Sequence, residues 1–160
     1  MDQESIIYQP NVKLITFLDD KDRILNKACE KVIDITPDID HLIEDMRATM
    51  YYYKGIAIAA PQVGKSLQII VINSIVFKTE EDTIIINPEL EILSDEKIID
   101  MEFCLSFPIG KWVSRYAEVQ IKCLDRKMQS VILHGESVKA RILQHEIEHL
   151  AGITLADKNG

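Results

Sequence analysis

The sequence predicts an α+β fold on three observations: a helical apolar stripe in the first third, extended apolar runs in the middle, and a second helical pattern near the end. The first helix begins with Thr36 as N-cap and Pro37 as first helical residue. Ile39, Leu42, Ile43, Met46, Met50 and Tyr53 then recur at helical spacing to form one buried stripe, which Lys54-Gly55 ends. Extended runs follow, "LQIIVIN" from Leu67, "TIIINPEL" from Thr83 and "AEVQIKCLD" from Ala117. In the last of these Ala117, Val119, Ile121 and Cys123 alternate with Glu118, Gln120 and Lys122, the pattern of antiparallel strands with one wet face. After "SVILHG" a second helix is expected from about Ser137 to Gly152, a glycine suited to the left-handed position past a helix end.

Composition narrows the function. A chain of 160 residues, 47 % hydrophobic and 28 % charged, is expected to fold as a single domain over residues 1–160 with its own core and a short polar arm over residues 1–11. A net charge of −8 with no basic run argues against a nucleic-acid surface, because such surfaces cluster Lys and Arg against phosphate. Three cysteines without a CxxC pair fit a reducing compartment. The opening "MDQESIIYQP" does not read as a signal or transit sequence, and no apolar run approaches a membrane span. The expected location is the cytoplasm, and a monomer is the default.

The stretch "ILQHEIEHLAG" carries two of the four histidines. His145 and His149 are four apart, so a helix stacks them on one face and both imidazoles can aim at one metal ion. Glu146 projects beside the same point, where a carboxylate can accept a proton from water. Val138, Arg141 and Ile142 continue that face and suggest a pocket wall. The motif equally admits an ordinary surface helix with solvated glutamates. A third ligand would decide between them, and Cys104 in "MEFCLSFP" is the candidate, since thiolate is a strong transition-metal ligand. Cys29 and Cys123 read as small buried hydrophobes, and His41, on the first helix, and His134, at a strand end, as groups that finish hydrogen bonds or face water.

A second unusual segment is "GIAIAAPQVG", Gly55 to Gly64, where small residues run to a proline and then Gln62. Small side chains allow close backbone approach, and a strand edge of this character can accept an extended peptide with an amide at its end. A tight packing loop is the alternative.

Together these segments resemble peptide deformylase, the family that removes the formyl group from the initiator methionine of new bacterial and organellar proteins. GxGxAAxQ appears as Gly55 to Gln62, EGCLS as Glu102 to Ser106 and QHExxH as Gln144 to His149, in that order. The segments "LDDKDRILNKACEKV", "IDHLIEDMRATMY", "INPEL" and "VQIKCLDR" extend the likeness from about Leu14 to Leu155. The resemblance implies antiparallel β-sheets around a central C-terminal helix carrying HExxH, with the N-terminal helix packed outside. It implies Cys104, His145 and His149 as ligands of one metal ion per chain, usually Fe²⁺, with Zn²⁺, Ni²⁺ or Co²⁺ able to substitute. Glu146 would be general base and then acid, and the Gln62 amide and Leu105 N–H would hold the oxyanion. Formyl-methionyl peptides or nascent chains would lie along Gly55, Ile56 and Ala57. Their methionine would enter a pocket of Ile56, Val138, Ile142 and the His145 ring.

Two motif glycines are replaced, by Ala57 and Phe103, and both positions lie near the substrate backbone in the family. The alternation of Phe103, Leu105 and Phe107 predicts that Phe103 faces the core with Cys104 on the opposite side. Ala57 should be tolerated unless its φ is positive. A buried Glu102 would need a partner, and Arg115 is the expected one. Two other functions stay open: a weak or inactive homologue that binds peptide N-termini, and a zinc metalloprotease, for which Asp157 is the sole downstream ligand candidate.

Overall fold

The computed structural model describes residues 11–158, so the expected arm over residues 1–11 lies, apart from Asn11, outside the described residues. Helix α1 spans Pro37–Tyr52. Thr36 caps it by accepting the Ile39 N–H at 3.3 Å, and Asp38 and Asp40 occupy the first turn, where the helix dipole favours carboxylates. Leu42, Ile43, Met46 and Met50 are buried as the stripe predicts. Tyr53 is not: it is the C-cap and 44 % exposed, because the helix stops at Tyr52 and Lys54, at φ 56, turns the chain away from the buried face.

The remaining elements are β1 (Ala57–Ala59), β2 (Ile69–Ile72), a short helix α2 (Ser74–Phe77), β3 (Thr83–Ile92), β4 (Lys97–Cys104), β5 (Phe107–Tyr116), β6 (Glu118–Leu124), β7 (Ser130–Glu136) and α3 (Val138–Leu150). Five strands form one antiparallel sheet in the order β1-β2-β3-β6-β7, and β4 and β5 form a separate hairpin. No helix among the described residues is long and apolar enough to cross a membrane.

The sheet separates two cores. Ile69, Val71, Ile58 and Ile86 pack with Leu42, Ile43, Met46 and Met50 of α1. Ile70, Ile72, Ile85, Val119 and Ile121 pack with Ala140, Leu143 and Leu150 of α3. The unbroken run Ile69–Ile72 is therefore a strand with both faces covered, all four residues being fully buried. Strand β6 keeps its alternation, with Val119, Ile121 and Cys123 buried and Lys122 exposed. Helix α3 thus lies against the sheet face opposite α1. Gly152 ends its last turn at φ +77, with the Asn26 carbonyl 2.7 Å from where a Cβ would stand.

The β4–β5 hairpin changes one expectation. Phe103 does not face the core: it is 77 % exposed. The alternation assumed one strand through Phe107, but the chain reverses at Leu105-Ser106, and the register shifts between Glu102 and Cys104. Leu105 and Phe107 consequently belong to the turn and the return strand. Inward-facing Glu102 is buried instead.

Candidate active site

Four elements converge where the hairpin tip meets α3. Strand β1 delivers the chain into a 3-10 turn, Ala60–Val63, in which Gln62 is 1 % exposed. Its Oε1 accepts the Ala59 N–H at 2.9 Å, and its Nε2 donates to Ser106 Oγ at 3.1 Å while lying 3.6 Å from Cys104 Sγ. Cys104 closes β4. Its Sγ is 3.4 Å from Nε2 of His149, one turn along α3 from His145, and the two rings meet edge to face at 5.1 Å. One donor atom from each of Cys104, His145 and His149 lies within 4.8 Å of the others.

Glu102 orients this cluster from behind. Arg115 grips it through Nε and Nη2, both at 2.8 Å, Arg141 Nη1 donates at 2.6 Å, and Nδ1 of His145 stands 2.9 Å away. The expected Glu102–Arg115 pair is present. Burial works against the Glu102 charge, but the bonds from Arg115 and His145 outweigh it and hold the carboxyl well below its ordinary range. Arg115 also reaches Glu148, which Lys158 meets at 2.7 Å. Arg141 donates to the Val113 and Ile98 carbonyls at 2.8 and 2.6 Å, fastening both hairpin strands to α3. Gln144 bonds the Tyr116 N–H and C=O at 3.1 and 2.9 Å, which fixes the helix against β5.

These partners set the chemistry of each group. Burial pushes His145 down, but Cys104, Glu102 and the Glu146 carboxylate hold it up at about 10. Burial, with cationic His145 and Arg115 nearby, pushes His149 down to about 3. A neutral ring is the ligating form, and a ring holding a proton releases it to a metal. Burial pushes Glu146 up to about 7, opposed by His145 and Arg115 and helped by Glu102, so its carboxyl can take and return a proton near neutrality. Among the described residues, Glu146 Oε2 and His149 Nδ1 are the buried side-chain polar atoms without a protein partner. One thiol, two imidazoles and an adjacent unpartnered carboxyl fit a divalent transition metal with an open position.

A cleft of about 390 Å³ opens from this point. Gly55, Ile56 and Ala57 form one wall, residues 100–105 the other, and Val138, Ile142 and His145 the floor. Ala57 is extended, and positive φ is absent there. Strand β1 terminates the sheet order, so among the described residues one of its edges pairs with no other strand.

The residues that the family resemblance implies for ligation, catalysis and peptide binding all reach this cleft or its metal cluster. Three residues make contacts here that the sequence does not foretell. The sequence places Arg141 only on a helical face, although a guanidinium on a buried stripe signals a buried carboxylate partner. Nothing in the sequence marked Ser106 as the anchor of Gln62 or Glu148 as a partner of Arg115. Asp157, the metalloprotease candidate, accepts from the Thr154 N–H at 2.8 Å and Asn26 Nδ2 at 3.2 Å, within the C-terminal 3-10 turn.

Comparison with known proteins agrees with this geometry. The chain is 39 % identical over 140 residues to the peptide deformylase of Natranaerobius thermophilus, covering 86 % of each. It is 42 % identical over 139 residues to that of Lachnoclostridium phytofermentans, covering 86 % of this chain and 83 % of the relative. Among solved structures, the Thermotoga maritima peptide deformylase matches with a TM-score of 0.84 at 30 % identity over 96 % of this chain and 99 % of that one. The Synechococcus elongatus enzyme in complex with actinonin matches with a TM-score of 0.84 at 31 % identity, over 95 % and 80 % respectively. The polypeptide deformylase family model matches residues 14–159, and the chain belongs to that family of hydrolases.

Proposed function

We propose that this chain removes the N-formyl group from formyl-methionyl peptides of nascent proteins, releasing formate, through one deformylase-like domain. The observation that carries the reading is the meeting of Cys104, His145 and His149 donor atoms within 4.8 Å, beside Glu146, whose Oε2 has no protein partner, and at a cleft lined by Cys104, His145 and Glu146. Cys104, His145 and His149 would hold a divalent metal, Fe²⁺ in this reading, which when bound would supply Lewis-acid activation of water.

The chain's own residues do the rest. Peptide backbone adds to the free edge at Gly55, Ile56 and Ala57, its methionine directed onto Val138, Ile142 and the His145 ring. Glu146 takes a proton from the attacking water and returns it to the departing amine. The Gln62 amide and the Leu105 N–H donate to the oxygen on which charge develops. Glu102 keeps His145 turned with Nε2 toward the ligand cluster.

The test is formate release from formyl-Met-Ala-Ser by protein loaded with Fe²⁺ without oxygen, since a thiolate centre oxidises readily. Release abolished by Glu146→Gln supports the reading. Metal-loaded protein that binds the peptide and releases no formate would instead make it a binding homologue.

A further inference from the structure

Phe103 occupies a motif glycine position, and the structure shows what its ring does there. A Cβ on Gly110 would lie 2.6 Å from Phe103 Cε1 and 3.0 Å from Met101 Sδ. Gly110 is not among the glycines with positive φ, so space, and not backbone conformation, calls for glycine. The register through Met101–Trp112 and Glu102–Lys111 brings Gly110 alongside Phe103. An aromatic ring laid over a cross-strand glycine is a stabilising pair that holds the ring in place. Phe103 is therefore a fixed, largely exposed apolar surface, and it belongs to the cleft wall.

The pleat decides what this surface meets. Glu102 points inward to Arg115, Arg141 and His145, so Phe103 points outward on the same strand. In a peptide added along β1, successive side chains also alternate. With the methionine turned inward onto Val138 and Ile142, the next side chain turns outward, to the side of Phe103 and Met101. Trp112, 58 % exposed and opposite Met101, extends that apolar area.

We propose that Phe103, seated on Gly110, is a specificity determinant for the residue after the methionine, favouring an apolar or aromatic side chain there over a small polar or acidic one. This rests on the peptide-binding reading of the cleft and adds a selectivity at the second position. Selectivity from one apolar contact is on the order of tenfold.

The test compares Met-Phe-Ser with Met-Ser-Ser by calorimetric titration of the metal-loaded protein, together with kcat/KM for their formylated forms. A preference of about tenfold for Phe is expected, falling to within about twofold in Phe103→Gly. Gly110→Ala, which displaces the ring and leaves Phe103 in the sequence, is expected to reduce the preference in the same direction. Peptides varied at the third position should show little of this dependence on residue 103. A wild-type preference within about twofold, or one that survives Phe103→Gly, overturns the proposal. So does failure of both tripeptides to bind. Because the Kd ratio decides the selectivity by itself, binding without formate release counts only against the hydrolytic reading.

Discussion

Glu102 Oε1 stands 2.9 Å from Nδ1 of His145, while Arg115 and Arg141 occupy the rest of the carboxylate. One buried side chain therefore couples the β4–β5 hairpin, which carries Cys104, to the helix that carries both histidines. This joins ligands remote in sequence, and both fold and site depend on it.

Glu102→Gln keeps the volume and removes the charge between two buried guanidinium groups. Breaking such a buried pair costs about 3–5 kcal/mol, and loss of a carboxylate behind a ligating imidazole weakens metal binding by roughly 10- to 100-fold. Denaturant unfolding and competition against a chelator measure the two effects separately. Lowered stability with unchanged metal affinity would restrict Glu102 to a role in the fold.

Cys104→Ala and Glu146→Gln should fail in different ways. Without the thiol the donor set shrinks to two imidazoles, so elemental analysis should find metal strongly reduced. Glu146→Gln leaves all three donors and removes the proton acceptor, so metal content should hold while formate release falls by about a hundredfold or more. Normal metal in Cys104→Ala would sink the ligand assignment. Activity within a few fold of wild type in Glu146→Gln would require another base.

A pH effect on stability is expected far from this centre, at Asp82. Burial would raise its carboxyl, but hydrogen bonds from Tyr51, Arg47 and the Ser74 N–H outweigh that and hold it below its ordinary value. A carboxyl depressed by folding contributes stability that is present above its unfolded pKa and lost as pH falls through the folded one. Asp82→Asn should therefore destabilise the protein at neutral pH by about 1.5–3 kcal/mol, the range for hydrogen bonds to a charged group, and by less in acid. Thermal unfolding between pH 7 and pH 3 measures this. A Tm difference that does not shrink toward acid would mean that the Asp82 charge is not the source.

Much of this architecture was legible because its signals are local. Thr36-Pro37 starts a helix by capping chemistry, the spacing of His145 and His149 follows from helix geometry, and Val119 to Cys123 alternate because one face is wet. Phe103 was misjudged because alternation shows only that neighbours differ, and a two-residue reversal at Leu105-Ser106 resets which face is which. The hairpin's pairing was likewise hidden. Ile99 on one strand and Trp112 on the other are exposed, so burial stamps no period on the sequence. Arg141 illustrates the remaining gap: its carboxylate and carbonyl partners come from three distant positions that only the folded chain brings together.

Gln62 provides the last prediction, because its amide has two ends with two duties. Its Oε1 is committed to the Ala59 N–H at 2.9 Å, which sets the direction of Nε2. Nε2 in turn donates to Ser106 Oγ at 3.1 Å and faces the Cys104 side of the cleft. If this N–H stabilises charge that develops only during reaction, Gln62→Ala should lower kcat by roughly 10²- to 10³-fold, with kcat/KM falling in parallel and metal retained. Ser106→Ala removes one anchor of the amide and leaves the amide itself, so a smaller loss is expected, on the order of tenfold or less. Steady-state formate release on one peptide series gives both numbers. A rise in KM with kcat intact in Gln62→Ala would show that the amide binds the ground state, and losses that add in full in the double variant would show that Ser106 acts independently of Gln62.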